Sequence, residues 1–251
     1  MAALPLVLVV PVYHEQDNIE RTLAEIDAKV TTSHETIVVY DDETDPTVRV
    51  VKRLSPRYPS VRLLKNDLGP GALRAIQAGF LACPPTCAVA VVMADLADDL
   101  VAIDGMYALV ASGEWDIVGG SRYMPGGDRI GGSWLKGSLS RFAGLSLHAF
   151  AGLPTRDATN SFRMYRSSLL HEIPIESRGG FELALELTVK AFLRGYRVTE
   201  VPSTWKERTE GSSRFRLVAW LPSYLRWYWL AMRHGRLHAR RASAATCTPK
   251  P

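Results

Sequence analysis

Five short apolar runs, most of them followed by a segment of helical character, constrain this 251-residue chain more than any other feature. They lie at residues 4–12, 36–40, 61–64, 88–93 and 115–118. The run at 4–12 is continuously apolar and reads as a strand buried on both faces, 36–40 reads as a second buried strand, and the other three read as strands. Asp17 or Asn18 is placed to cap a helix to about residue 29, with Ile19, Leu23 and Ile26 on one face. Thr44 or Asp45 caps the next, with Pro46 in its first turn. Gly69-Pro70-Gly71 opens a third helix, and residues 99–111 form a fourth. Strands alternating with helices at short spacing predict βαβ units and a mainly parallel sheet flanked by helices.

The runs end in Tyr13-His14-Glu15, Asp41-Asp42, Asn66-Asp67, Asp95 and Gly119-Gly120-Ser121-Arg122. In an open α/β sheet these ends share one edge, where ligands bind. The second half is less regular. Helices are expected at 133–150, 181–193 (amphipathic) and 217–232, and strands at 162–165 and 196–201. Residues 126–132 read as a flexible loop, and a polar loop runs from 202 to Arg214.

Charge divides the chain. Residues 211–251 hold eight Lys or Arg and no acid, leaving 22 basic and 26 acidic residues before them, a net of −4. A basic tail suits an anionic membrane surface or nucleic acid, and the adjacent Trp220, Tyr224, Trp227, Tyr228 and Trp229 favour the membrane. The other reading is a helix packed on the body by its aromatics. The domain expectation is a body at 1–216 and a C-terminal helix and tail at 217–251. Three cysteines make no disulfide framework and favour a reducing compartment. Cys83 and Cys87 lack a second Cys/His pair at zinc-finger spacing. No signal peptide or membrane-spanning run is read, so the expected location is cytoplasmic, peripheral on the cytoplasmic face of a membrane.

Four motifs recur in order: Val10-Pro-Val-Tyr-His-Glu15, Tyr40-Asp-Asp42, Met93-Ala-Asp95 and Gly120-Ser-Arg-Tyr123. Asp157-Ala-Thr-Asn-Ser-Phe162, Gly180-Phe-Glu182 and Arg208-Thr-Glu-Gly-Ser-Ser-Arg214 follow. Over about residues 4–216 the chain resembles family 2 glycosyltransferases of the GT-A fold, in particular dolichol-phosphate mannose synthases and related polyprenyl-phosphate sugar transferases. The resemblance implies a GT-A-like nucleotide-binding fold. It implies inverting transfer of a hexose from a nucleotide sugar, of GDP-mannose or UDP-glucose type, to a polyprenyl or dolichyl phosphate. Nucleic acid is not an expected partner.

By the same resemblance, Pro11, Tyr13, Glu15, Asp42, Ala94 and Asp95 line the nucleotide-sugar site, and Arg208 and Arg214 close over its diphosphate. Asp95, Arg122 and Arg208 are the catalytic candidates. Arg122, Lys136, Arg141, Asp157, Asn160 and Glu182 fall on the acceptor side. The family's basic residue next to Lys136 appears here as Gly137. Asp95 matches the ligand of a Mg2+ or Mn2+ ion. Met93, however, replaces the motif's first Asp, and Ala97 replaces a Gln that ligates the metal in the mannose synthases. A thioether is a poor ligand for either ion. Asp98 and Asp99 either join the metal or cap the following helix. Two alternatives stay open: a transferase acting on a soluble hydroxyl acceptor, with Glu182 as base, and a degenerate nucleotide-sugar binder without catalysis.

Overall fold

The computed structural model describes residues 4–178, 182–207 and 217–246, with side chains in the last segment described at 221–235. Its centre is a seven-stranded sheet, ordered β3-β2-β1-β4-β7-β5-β8. The strands are β1 (Leu6–Val12), β2 (His34–Tyr40), β3 (Val61–Lys65), β4 (Ala88–Val91), β5 (Ile117–Ser121), β7 (Arg163–Arg166) and β8 (Val198–Pro202). Every pairing is parallel except those of β7, which runs antiparallel between β4 and β5. The mainly parallel sheet is as expected.

The unbroken apolar character of β1 follows from its position. Leu6, Leu8, Val10 and Val12 face one hydrophobic cluster, while Val7 and Val9 face the other. Each fully buried Val or Leu contributes about 1.5–3 kcal/mol. Helices α1 (Ile19–Lys29), α2 (Pro46–Leu54) and α4 (Ala102–Ala111) cover the first face. Helices α3 (Ala72–Leu81), α6 (Ser167–Glu172) and α7 (Leu183–Leu193) cover the second, together with α8 (Leu217–Thr246).

Several expectations need correction. Helix α7 is not amphipathic: every residue from Leu183 to Phe192 is buried. Glu186 and Lys190 make it look two-faced in sequence, yet they pair with each other at 2.6 Å. Residues 126–132 are not merely a loop, because β6 (Asp128–Ile130) pairs in parallel with β9 (Thr204–Lys206). The helix at 133–150 is α5 (Trp134–Ser146) followed by a π-helical turn, Leu147–Ala151. Helix α8 runs well past residue 232 and buries Trp227 and Ala231 in the core. Its packing is close: a Cβ on Gly235 would lie 2.3 Å from the Ala151 carbonyl.

Candidate active site

The C-terminal tips of β1 and β2 lie side by side, with Val12 paired to Tyr40. Pro11 is buried in β1, while Tyr13 stands half exposed with its ring edge-on to His14 at 4.4 Å. His14 takes a left-handed conformation with φ of 56°. Its N–H donates to Asp45 Oδ2 at 2.9 Å, and the Glu15 N–H donates to Thr47 Oγ1 at 2.9 Å. Asp45 also accepts from the Thr47 N–H, so Asp45 rather than Thr44 caps α2. Glu15 Oε2 accepts from the Asn18 amide at 2.8 Å. Asn18 therefore gives its side chain to Glu15 and makes no side-chain cap on α1. Asp42 Oδ1 accepts the backbone N–H and the hydroxyl of Thr44, which hold its carboxyl below the ordinary range. Asp41 accepts from Asn66 and from the Gly71 N–H, tying β2 to the start of α3. Pro11, Tyr13, Glu15 and Asp42 thus share one end of the sheet.

The acidic turn follows β4. The buried Ala94 gives its carbonyl to the Thr22 hydroxyl. Asp95 Oδ1 accepts the Ala97 N–H at 3.1 Å, and Leu96 is left-handed with φ of 60°. The chain then folds back, and Asp98 Oδ2 accepts the Met93 N–H at 3.1 Å. Burial, then the charge of Asp95, pushes the Asp98 carboxyl up to about 7, against the opposing pull of the Met93 N–H and Arg122. Asp99 Oδ2 accepts the Thr204 N–H, and the Ala97 carbonyl accepts the Lys206 N–H, so the turn also carries β9. Neither Asp98 nor Asp99 is a side-chain cap for α4, whose N-cap is Val101. That option is excluded by where the two carboxylates point.

Among the described residues, no group of three or more His, Cys, Asp or Glu is arranged to hold a metal ion. Asp95 and Asp98 lie near enough in the turn for the charge of Asp95 to act on Asp98, and both offer hard oxygens, which suit Mg2+ or Mn2+. They would complete a coordination shell only with oxygens brought by a ligand.

The acceptor-side candidates gather around Arg122, which follows β5. Arg122 Nε donates to Asp157 Oδ2 at 2.6 Å, and Nη2 donates to Oδ1 at 2.8 Å and to Ser140 Oγ at 3.0 Å. Burial works against the Arg122 charge, and Asp157 more than restores it, so its pKa stands above the ordinary value. Nη1 takes no part in these bonds. The Asn160 amide donates to the Gly120 carbonyl at 2.8 Å, stitching the 157–160 loop to β5. Glu182 is buried at the head of α7, and its Oε2 has no partner among the described residues. Burial first, then the charge of Glu182, raises the pKa of the nearby Tyr224 phenol.

Lys136 lies in the first turn of α5, where its N–H reaches the Ser133 cap. Arg141 is exposed on the same helix, and no described bond joins it to the Arg122–Asp157 pair. Arg208 and Arg214 lie outside the described residues. Two basic residues were not singled out from sequence. Arg163 is fully buried behind the 157–160 loop. Arg129 lies over the Trp205 ring, and its Nη1 would sit 2.5 Å from a Cβ at Gly137. A cation therefore occupies the space that a side chain at 137 would need. The glycine itself was the available signal.

The chain matches the model of the family described as Glycosyl transferase family 2 over residues 7–174. It is 27% identical over 214 residues to a dolichol-phosphate mannosyltransferase of Pyrococcus furiosus, covering 83% of this chain and 58% of that protein. The chain thus spans little more than half the length of that relative. It is 28% identical to a dolichyl-phosphate hexose transferase of Haloferax volcanii, over 81% of this chain and 83% of that protein. In fold it resembles glucosyl-3-phosphoglycerate synthase of Mycobacterium tuberculosis, crystallised with uridine diphosphate. The TM-score is 0.67 at 15% identity, over 91% of this chain and 80% of that one. Other crystals of that enzyme hold Mn2+ or Mg2+. The GT-A-like expectation for the fold holds.

Proposed function

This chain belongs to glycosyl transferase family 2, and we propose that it moves a hexose from a nucleotide sugar to a polyprenyl phosphate, with inversion at the anomeric carbon. The reading rests on one observation. The Arg122–Asp157 pair is bound to α5 through Ser140, and α5 presents an apolar stripe to solvent. Trp134 is 80% and Phe142 69% exposed, with Leu135 and Leu139 beside them. Helix α8 adds Trp229 at 63%, and Tyr228 joins it to α5 through Ser146 at 3.0 Å. Neither helix contains an acid. Apolar stripes with Trp and only basic charges suit an anionic membrane surface. Such a surface would bring a lipid phosphate to Arg122. The names of the relatives point the same way.

The donor's nucleoside lies along Tyr13, Glu15 and Asp42, and its diphosphate at Asp95. The acceptor phosphate meets the Nη1 of Arg122. A phosphomonoester with a second pKa near 6 is already anionic at neutral pH and needs no general base. Its oxygen bonds to the anomeric carbon as the bond to the diphosphate breaks, through an oxocarbenium-like transition state. A divalent cation would be held by Asp95, with Asp98 adjacent, and would neutralise charge on the leaving diphosphate. Arg208 and Arg214 complete that role, and Lys136 and Arg141 draw the acceptor in. The base is guanine or uracil. The enzyme works on the cytoplasmic face of its membrane. A second reading, transfer to a soluble hydroxyl, is favoured by Glu182, whose buried Oε2 has no partner among the described residues and which would then serve as base.

Transfer from GDP-mannose and UDP-glucose to a short-chain polyprenyl phosphate tests the acceptor. Turnover with no lipid phosphate, by folded protein, ends that half of the proposal. Thermal shifts with GDP and UDP, with and without Mn2+, identify the base. A ligand at a hundred times its Kd stabilises by about 2.7 kcal/mol.

A further inference from the structure

The charge that attracts the acceptor phosphate does not come from Arg122 alone. Asp157 neutralises Arg122 through two hydrogen bonds, and Asp98 and Glu182 also lie near. A neutralised arginine offers donors but little net field. Behind the pair stands Arg163, the largest fully buried side chain in the fold. Its Nε donates to the Asn160 carbonyl at 2.9 Å and its Nη2 to the Asp157 carbonyl. Both partners are backbone, and Nη1 has none among the described residues. A buried cation without a carboxylate partner is costly, and an arginine does not escape that cost by losing its proton. The fold makes room for it. Arg163 is opposite Gly119 on β5, where a Cβ would lie 2.7 Å from Nη1.

We propose that Arg163 is a positioning residue that presents the 157–160 loop to Arg122 and supplies the net positive charge felt by the acceptor phosphate, without touching it. Arg122 and Asp157 cancel, so Arg163 adds one unit of positive charge against the nearby carboxylates Asp98, Glu182 and Glu200, and removing it makes the cluster one unit more negative. The inference rests on the acceptor-phosphate reading above.

Four proteins test it: wild type, Arg163→Lys, Arg163→Met, and the double variant Asp157→Asn/Arg163→Met. Inorganic phosphate binding is measured by calorimetry, and the KM for a short-chain polyprenyl phosphate by transfer. Arg163→Met should weaken phosphate binding and raise acceptor KM at least tenfold, with donor KM unchanged. Arg163→Lys keeps the charge only while its buried ammonium stays protonated, so relative to wild type it should be nearest at low pH and fall toward Arg163→Met as pH rises. The double variant restores the charge sum and should recover most phosphate binding, while kcat stays low because Arg122 has lost its partner. Equal phosphate binding in all four proteins overturns the proposal. So does a folded double variant that binds phosphate as weakly as Arg163→Met, which would mean a structural role only. If Arg163→Met does not fold, Arg163→Lys decides through its pH dependence: phosphate binding that, relative to wild type, does not follow the lysine's proton overturns the proposal. Wild-type protein that binds phosphate in this charge-dependent way but glycosylates no lipid phosphate would refute the acceptor reading, not the role of Arg163.

Discussion

Arg122 grips Asp157 with two different nitrogens, Nε on Oδ2 at 2.6 Å and Nη2 on Oδ1 at 2.8 Å, and the carboxylate is wholly buried. Only a planar fork makes both bonds at once. Arg122→Ala should therefore leave an unpaired buried charge, at a cost of about 3–5 kcal/mol in urea unfolding. Arg122→Lys should keep the charge and lose one bond, with a smaller stability loss. Both should lower transfer by roughly a hundredfold or more, as for other groups that stabilise charge in a reaction. A lysine variant with full transfer would show that the fork geometry is dispensable.

Asp98 makes stability depend on pH in an unusual direction. Its carboxyl stands at about 7 in the fold against an ordinary 3.8. Above the ordinary value the unfolded chain gives up this proton while the folded protein keeps it. The native state then binds more protons, so stability falls as pH rises from about 4 to about 7 and levels off beyond. Three units correspond to roughly 4 kcal/mol as an upper bound. Asp98→Asn should remove this slope, seen as the difference between the two proteins in urea midpoints from pH 5 to pH 8. Mn2+ should also flatten it in wild type, because a nearby cation favours the carboxylate. Parallel curves for the two proteins would place Asp98 in water.

Glu186 and Lys190 test what α7 hides. Glu186 accepts the N–H groups of Glu176 and Ser177 as well as Lys190 Nζ. Glu186→Leu should cost about 3–5 kcal/mol, because two N–H groups lose their acceptor and the ammonium of Lys190 loses its buried carboxylate, keeping only Glu176 Oε1 at 2.7 Å and the Pro174 carbonyl at 2.6 Å. Glu186→Leu/Lys190→Met should cost less than the two single changes added together. Strict additivity in denaturant unfolding would show the pair to be uncoupled.

These cases mark what the sequence discloses. The unbroken apolar run of β1 reads directly, because burial on both faces removes every polar position. The turns at Tyr13, Asp42 and Asp95 read equally well, since strand ends in a parallel sheet share an edge. The antiparallel insertion of β7 does not, because nothing in residues 163–166 records which distant strands they join. The pattern of α7 misleads because its polar residues satisfy one another internally. Arg163 was passed over because its significance lies in a missing partner, which is a fact of three dimensions. The stripe on α5 has the opposite cause: periodicity finds an apolar helix face but not the side of it that meets water.

That stripe gives the most direct test of where the enzyme works. Trp134 and Phe142 lie on α5, largely exposed, so replacing both with Ser should leave the fold and its unfolding midpoint nearly unchanged. If they enter the headgroup region, partial burial contributes about 1 kcal/mol each, and the double variant should lose roughly thirtyfold in partitioning. Sedimentation with vesicles containing phosphatidylglycerol measures this directly. Wild type should bind such vesicles more tightly than neutral ones, and the preference should shrink with added salt, because Lys136 and Arg141 on α5 contribute through charge. Turnover of a water-soluble short-chain acceptor should survive the double change, since neither residue bonds to the Arg122–Asp157 pair. Turnover of a long-chain acceptor embedded in vesicles should fall with the binding. Undiminished sedimentation would mean that α5 meets something other than a bilayer, and would remove the observation on which the lipid reading rests.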